Sequence, residues 1–194
     1  MNSALSLRAI LLAAGRSARF GADKLAHCMP DGVPIAVHAA RNLRAAGLQV
    51  TAVVRPHDER LAGLLKAEGC DVTPCAEAAG GMGHSLAHGV RATAEAAGWI
   101  VALADMPTIR PGTIRRVADA LACGAGIAAP SFRGERGHPV GFAPSHYPEL
   151  ARLTGDTGAR SVMQAHRGEL VLVDCDDPGV LYDIDRRADV ERPV

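Results

Sequence analysis

Short unbroken apolar runs alternate along this chain with longer segments whose apolar positions recur every three or four residues. The two patterns separate strands from helices, because side chains repeat at a period of 2 across a strand and of about 3.6 around a helix. Residues 8–13 form a continuous apolar run closed by Gly15, which predicts a buried strand. Residues 34–46 predict a helix: Pro34 suits its first position, Gly47 lies just past its end, and Ile35, Ala39, Leu43 and Ala46 share one face. The pattern continues as a strand at 49–54, a helix at 57–68 with Leu61, Leu64 and Leu65 facing inward, and a strand at 70–75. A glycine-rich loop at 77–86 then enters a helix that runs to about Ala97. A strand at 99–104, a helix at 111–122 and a strand at 125–129 follow.

The last third changes character. A polar turn at 133–137 leads to a strand at 138–143, a short helix at 144–153, and a second helix that opens at 154–160 and runs to about His166. A strand at 169–173 and an extended piece at 181–185 complete the pattern. Strands alternating with helices of this size predict an α/β fold: a mainly parallel sheet with helices on both faces, with 138–143 as a candidate antiparallel insertion. No repeat, linker or low-complexity run divides the chain, so residues 1–194 are expected to form a single domain.

Composition removes several classes of function. Hydrophobic residues make up 48% and charged residues 22% of the 194, which is globular and enough for a sizeable core. Lys plus Arg number 21 and Asp plus Glu number 21, a balance that gives no electrostatic reason to expect nucleic acid or a membrane surface as partner. Aromatics are 3%, too few for base-stacking platforms. The five cysteines, Cys28, Cys70, Cys75, Cys123 and Cys175, form no CxxC pair, which favours reduced thiols and a cytoplasmic protein. Residues 1–14 resemble a signal peptide superficially, but Arg8 interrupts the apolar stretch. No segment approaches transmembrane length.

The candidate chemistry collects at one edge of the expected sheet. After the first strand come Gly15, Arg16, Ser17, Arg19 and Lys24, and glycine, cations and exposed amides are what phosphate binding requires. The spacing is neither a Walker loop nor a GxGxxG turn. Ligands of such sheets bind at the carboxyl ends of the strands. The opening loop, the 77–86 loop and Asp105 all fall there. A carboxylate beside phosphates is repulsive unless a cation lies between them, and Mg²⁺ takes one or two carboxylates plus phosphate oxygens. Asp183 and Asp185 bracket Ile184, so in an extended chain they share a face, and either could complete a metal site with Asp105. Each feature has a plainer alternative: a basic surface loop, a turn-forming Asp105, solvated Asp183 and Asp185, a turn His138, a helix-capping Ser85.

Six segments in order resemble one family. Leu12-Ala13-Ala14-Gly15-Arg16-Ser17-Ala18-Arg19-Phe20-Gly21-Ala22-Asp23-Lys24 is similar to the signature LAAGxSxRMGxxK of the MobA-like nucleotidyltransferases, with Phe20 in the methionine position. Gly81 to Leu86, Leu103-Ala104-Asp105-Met106-Pro107, Gly137-His138-Pro139-Val140, Gly155 to Arg160 and Asp183-Ile184-Asp185 match its later segments. Within the family the chain most resembles the molybdenum cofactor cytidylyltransferases. It departs from them at Met106, where glutamine is common, at His84, and at Arg186-Arg187-Ala188-Asp189.

The resemblance implies a Rossmann-like nucleotide-diphosphosugar transferase fold. It also implies Mg²⁺-dependent transfer of a nucleoside monophosphate from CTP (or GTP) to the phosphate of molybdopterin, releasing pyrophosphate. Lys24, Asp105 and Arg19 become the expected catalytic residues, and Leu12, Ala13, Ala14, Gly15, Arg16, Ser17, Lys24, Gly81 and Ser85 the nucleotide site. His138, Pro139 and Arg160 are expected on the acceptor side, with Asp105, Asp185 and Asp183 as metal ligands. Ala14 is the family's position for base choice and leans towards cytosine. A molybdoenzyme that receives the product is the implied partner. A guanylyltransferase of the same fold, or a non-catalytic chaperone that binds nucleotide and cofactor, is the alternative.

Overall fold

The structure, a computed structural model, describes residues 6–15, 20 and 23–191. Among these, eight strands form one mixed sheet: β1 (Arg8–Ala13), β2 (Gln49–Val54), β3 (Asp71–Pro74), β4 (Trp99–Leu103), β5 (Ile127–Phe132), β6 (Glu135–Arg136), β7 (Val140–Phe142) and β8 (Leu170–Cys175). Their order is β3-β2-β1-β4-β7-β5, with β8 pairing β5 and the two-residue β6 continuing the hairpin from β5. Pairing is parallel from β3 through β4 and between β5 and β8. β7 runs antiparallel to both neighbours, as the 138–143 segment suggested.

Side-chain alternation sends the sheet into two cores. Ala9, Leu11 and Ala13 of β1 face α1 (Ile35–Ala45), α2 (Glu59–Ala67) and α4 (Pro111–Ala122), meeting Ile35, Leu43, Leu61, Ile114 and Val117. Ile10 faces the other layer, α3 (Met82–Ala92), α5 (Tyr147–Leu150) and α6 (Arg160–Ala165), where it joins Leu86, Val90, Trp99, Phe142, Leu150 and Val162. Each fully buried Leu, Ile or Phe contributes roughly 1.5–3 kcal/mol of transfer free energy. No helix among the described residues is long and apolar enough to cross a membrane.

Where the elements differ from the sequence pattern, a local cause is visible. The helix expected at 57–68 starts at Glu59, because His57 takes φ 63° and the Asp58 side chain caps the turn by accepting from the Leu61 amide. The helix expected to reach Ala97 stops at Ala92. Thr93 Oγ1 donates back to the Gly89 carbonyl at 2.8 Å and accepts the Trp99 indole N–H at 3.0 Å, so the chain turns there into β4. Strand 125–129 shifts to Ile127–Phe132. Pro130 cannot donate, but its carbonyl accepts from Gly137 at 2.8 Å and the strand continues beyond it. The 144–153 helix shortens to a 3₁₀ turn, Pro144–His146, followed by α5. The 181–185 piece follows a second 3₁₀ turn, Pro178–Leu181.

α3 carries glycine at 83 and 89, poor helix formers with a packing reason. A Cβ on Gly89 would lie 2.7 Å from Ile10 Cγ2 and 2.9 Å from Val53 Cγ2, so only a hydrogen lets the helix approach the sheet. Gly89→Val is expected to lower the unfolding free energy by about 1–3 kcal/mol through overpacking, read from urea melts. Unchanged stability would contradict this close approach.

Candidate active site

The site is built from the adjacency of β1 and β4. Leu12 pairs with Leu103, and the Ala104 amide donates to the Leu12 carbonyl at 3.1 Å. Just past that pair β1 opens into Ala14 and Gly15, and β4 into Asp105. The turn at Asp105 is closed by the Met106 amide on the Leu103 carbonyl, and the Met106 side chain is anchored in the core. The Asp105 carbonyl in turn accepts the Ile184 amide at 2.9 Å. Ile184 is fully buried, and its neighbours Asp183 and Asp185 therefore stand at the same sheet edge as Asp105.

Lys24 begins a 3₁₀ turn, Lys24–Ala26, and is 7% exposed. Its Nζ lies 2.7 Å from Asp105 Oδ2 and 3.8 Å from Asp185 Oδ1. One buried ammonium thus faces carboxylates from two remote segments. Burial, then the charges of Asp185 and Asp105, push the Asp183 carboxyl above the usual carboxylate range, with Lys24 opposing. Crowded carboxylates that repel one another are relieved by a further cation. Asp105, Asp185 and Asp183 supply hard oxygen donors, the set that Mg²⁺ or Mn²⁺ takes.

Asp105 also borders a cavity of about 480 Å³ whose floor is Leu12, Ala14 and Gly15 and whose far wall is Ala78, Ala79, Gly81, Met82 and Ser85. Of the residues expected to hold nucleotide, Leu12, Ala14, Gly15, Gly81 and Ser85 line it. Ala13 does not: strand alternation turns its side chain into the opposite core, where it is 1% exposed. Lys24 lines a smaller adjoining recess of about 60 Å³ together with Asp105 and Gly15. Arg16, Ser17 and Arg19 lie outside the described residues.

Gly81 has φ 118°, and a Cβ there would overlap Gly155 and the Asp156 carboxylate. The Gly83 amide donates to the Gly155 carbonyl at 2.7 Å, and the Gly155 amide to His84 Nδ1 at 3.3 Å. These contacts seat the 154–158 loop against the start of α3 and bring Asp156 to the cavity. Asp156 was not singled out from sequence, although it lies within the Gly155 to Arg160 segment.

Leu12, Met82 and Leu103 also border a second recess of about 180 Å³, whose polar side chains come from Arg136, His138, Thr157 and Arg160. A shallower one, about 270 Å³, lies between Arg136, His138 and Asp183. Pro139, joined to His138 by a cis peptide bond, is buried and lines none of these spaces. His138 Nδ1 and Arg136 Nη1 are buried without a hydrogen-bond partner. Burial, reinforced by the Arg136 charge, lowers the His138 imidazole to about 4, so it is neutral at pH 7. Arg136 is not named individually from the sequence, although it lies within the 133–142 region that the family resemblance assigns to the acceptor side. Its residue type was unremarkable, and only the β5–β6 hairpin delivers it to the recess.

Comparison with known proteins bears on the family and the fold. The chain is 29% identical over 187 residues to the purine catabolism protein PucB of Bacillus subtilis (strain 168), covering 91% of this chain and 90% of that one. The structure of Rv0371c from Mycobacterium tuberculosis H37Rv in complex with manganese superimposes with a TM-score of 0.75 at 26% identity, covering 95% of both chains. A nucleotidyl transferase from Methanothermobacter shares the fold, with a TM-score of 0.80 at 22% identity over 95% of this chain and 94% of that one. The profile of the MobA-like NTP transferase domain matches residues 9–170, and the chain belongs to that nucleotidyltransferase family.

Proposed function

We propose that the chain, acting as one domain, transfers a cytidylyl group from CTP to the phosphate of a molybdopterin-type acceptor and releases pyrophosphate. The observation that carries this reading is the meeting of Lys24, Asp105 and Asp185 where the larger cavity opens beside a second, cationic recess. The larger space suits a nucleotide and the smaller one a second phosphorylated molecule. Ala14, on the floor of the larger cavity, supports cytosine through the resemblance drawn above. The product would pass to a molybdoenzyme.

The amides at Ala14 and Gly15 and the Lys24 ammonium would hold the triphosphate. Asp105 and Asp185, with Asp183 beside them, would hold Mg²⁺, which supplies Lewis-acid neutralisation of phosphate oxygens when bound. Arg136 and Arg160 would draw the acceptor phosphate into the smaller recess, and the unpartnered Arg136 N–H would find an acceptor there. His138, neutral, would hydrogen-bond the acceptor rather than repel or attract charge. A phosphate monoester is already largely ionised near neutral pH, so attack in line on the α-phosphorus needs little general-base help. Orientation and charge neutralisation would carry the rate.

The reading is tested by measuring pyrophosphate release across CTP, GTP, ATP and UTP, with and without molybdopterin as acceptor. CTP with molybdopterin is expected to turn over fastest. Preference for GTP would overturn the base assignment, and tight CTP binding without release would favour the chaperone alternative. In the same assay Asp105→Asn is expected to lower kcat/KM by at least a hundredfold, about 2.7 kcal/mol of lost transition-state stabilisation. Activity within a few-fold of wild type would remove Asp105 from the metal site.

Lys24→Ala is expected to weaken CTP binding at least tenfold by calorimetry. Unchanged affinity would end the phosphate role. His138 generates a pH prediction. Its folded pKa of about 4 lies below the ordinary 6.5, so between those values the unfolded chain binds more protons. Stability should therefore fall as pH drops from about 6.5 to 4, by roughly 3 kcal/mol at most from this residue. Urea melts should show His138→Gln flattening that slope, and NMR titration of the His138 Cε1–H should give a midpoint below 5.

A further inference from the structure

The far edge of the sheet holds a second cluster of chemistry. Phe142 ends β7 beside Trp99, where β4 begins, and Ile127 and Leu170 begin β5 and β8 in register. The segments that follow β7 and precede β8 therefore meet at the edge where the parallel strands start. Asp105 lies past the other end of β4, six residues beyond Trp99 and so up to roughly 20 Å away at ~3.3 Å per residue. At that edge stand His146, in the 3₁₀ turn after β7, Glu149 in α5, His166 at the end of α6, and Glu169 just before β8.

Their geometry converges. One donor atom each from His146, Glu149 and His166 lies within 4.8 Å of the other two. His166 Nε2 is 2.7 Å from Glu149 Oε1, and its Nδ1 is 2.9 Å from Glu169 Oε1. The rings of His146 and His166 meet edge to face at 4.7 Å. His146 is 2% exposed, and its Nε2 has no hydrogen-bond partner although Glu169 Oε2 is 3.2 Å away. A buried ring nitrogen without a well-formed hydrogen bond beside another imidazole and two carboxylates is unusual, because buried polar atoms are normally satisfied. Glu169 is pressed over Gly126, where a Cβ would collide with its carboxylate. Glu149 and Glu169 are each 47% exposed and leave the cluster open to solvent.

We propose that His146, Glu149 and His166 form a site for a divalent transition metal, with Zn²⁺ the fitting ion. Two imidazole nitrogens and one carboxylate are a ligand set that Zn²⁺ accepts, with one position left for water. Glu169 takes the part of an orienting carboxylate: with the Nδ1–H of His166 donated to it, Nε2 points into the site. The ion takes the place of the His166 Nε2–Glu149 Oε1 hydrogen bond and gives the buried His146 nitrogen a partner. Bound there, it ties the turn after β7 to the end of α6. α6 starts at Arg160, a wall residue of the smaller recess, so the far edge and the recess are joined by one short helix.

The test uses the full chain stripped of metal with chelator and then titrated with Co²⁺ and Zn²⁺. Co²⁺ should give the visible d–d bands of a low-coordinate imidazole site at about one ion per chain, displaced by Zn²⁺, and Zn²⁺ should raise Tm. His166→Gln and Glu149→Gln, both at accessible positions, should weaken Zn²⁺ at least tenfold and remove the Tm rise while the metal-free Tm stays close to wild type. Asp105→Asn should keep the bands, which separates this site from the one by Lys24. Absent bands, meaning an imidazole–carboxylate network only, would overturn the proposal. So would bands that survive His166→Gln or vanish in Asp105→Asn.

Discussion

A buried ammonium cannot stand alone, and Lys24 is the group around which the ligand edge is assembled. Its charge is met by Asp105 at 2.7 Å and Asp185 at 3.8 Å, groups 81 and 161 positions further along the chain. The ammonium is the buried member and the carboxylates are part-exposed, at 25% and 36%, so the loss of Asp105 leaves the ammonium, rather than a carboxylate, in a poorly solvated place. The turn that begins at Lys24, the end of β4 and the 183–185 segment therefore meet at one point by the same electrostatic requirement. The Ile184 amide on the Asp105 carbonyl and the Asp189 carboxylate, which accepts the amides of Asp185 and Arg186 at 3.0 and 2.7 Å, keep the third of these in place. Asp189 thus acts on the shape of the segment that presents Asp185.

The antiparallel β7 has an effect out of proportion to its length. Its direction places its first residue at the ligand edge and its last at the opposite edge. His138 enters the recess shared with Arg136 and Arg160 just before it, and His146 reaches the far cluster just after it. An all-parallel sheet would need a crossover helix to supply the same two positions.

Much of this arrangement was legible in the residues because its causes are local. Unbroken apolar runs marked β1, β2 and β4, and the position of Asp105 at the end of such a run placed it at the ligand edge. Ala13 was legible too: a period of 2 separates it from Leu12 and Ala14, and only family resemblance grouped all of them as nucleotide-facing. The rest depended on contacts between distant segments. The end of α3 is set by Thr93 and Trp99 together. Asp156 reaches the cavity because Gly81 and Gly83 admit the 154–158 loop. Arg136 and the His146–His166 pair become neighbours of anything chemical only after β5, β7 and β8 are laid side by side.

Leu12, Met82 and Leu103 belong to the walls of both the cavity of about 480 Å³ and the recess that holds Arg136, His138 and Arg160. Leu12 and Leu103 are paired residues of adjacent central strands, and Met82 opens a helix locked to the sheet by Gly89. The partition between the compartments is thus anchored on two central strands and on the first turn of α3. A partition so anchored acts as a ruler. On the function proposed above, two substrates seated on either side would meet at a separation set by the sheet, and selection among acceptors would follow the reach of the group they extend past it.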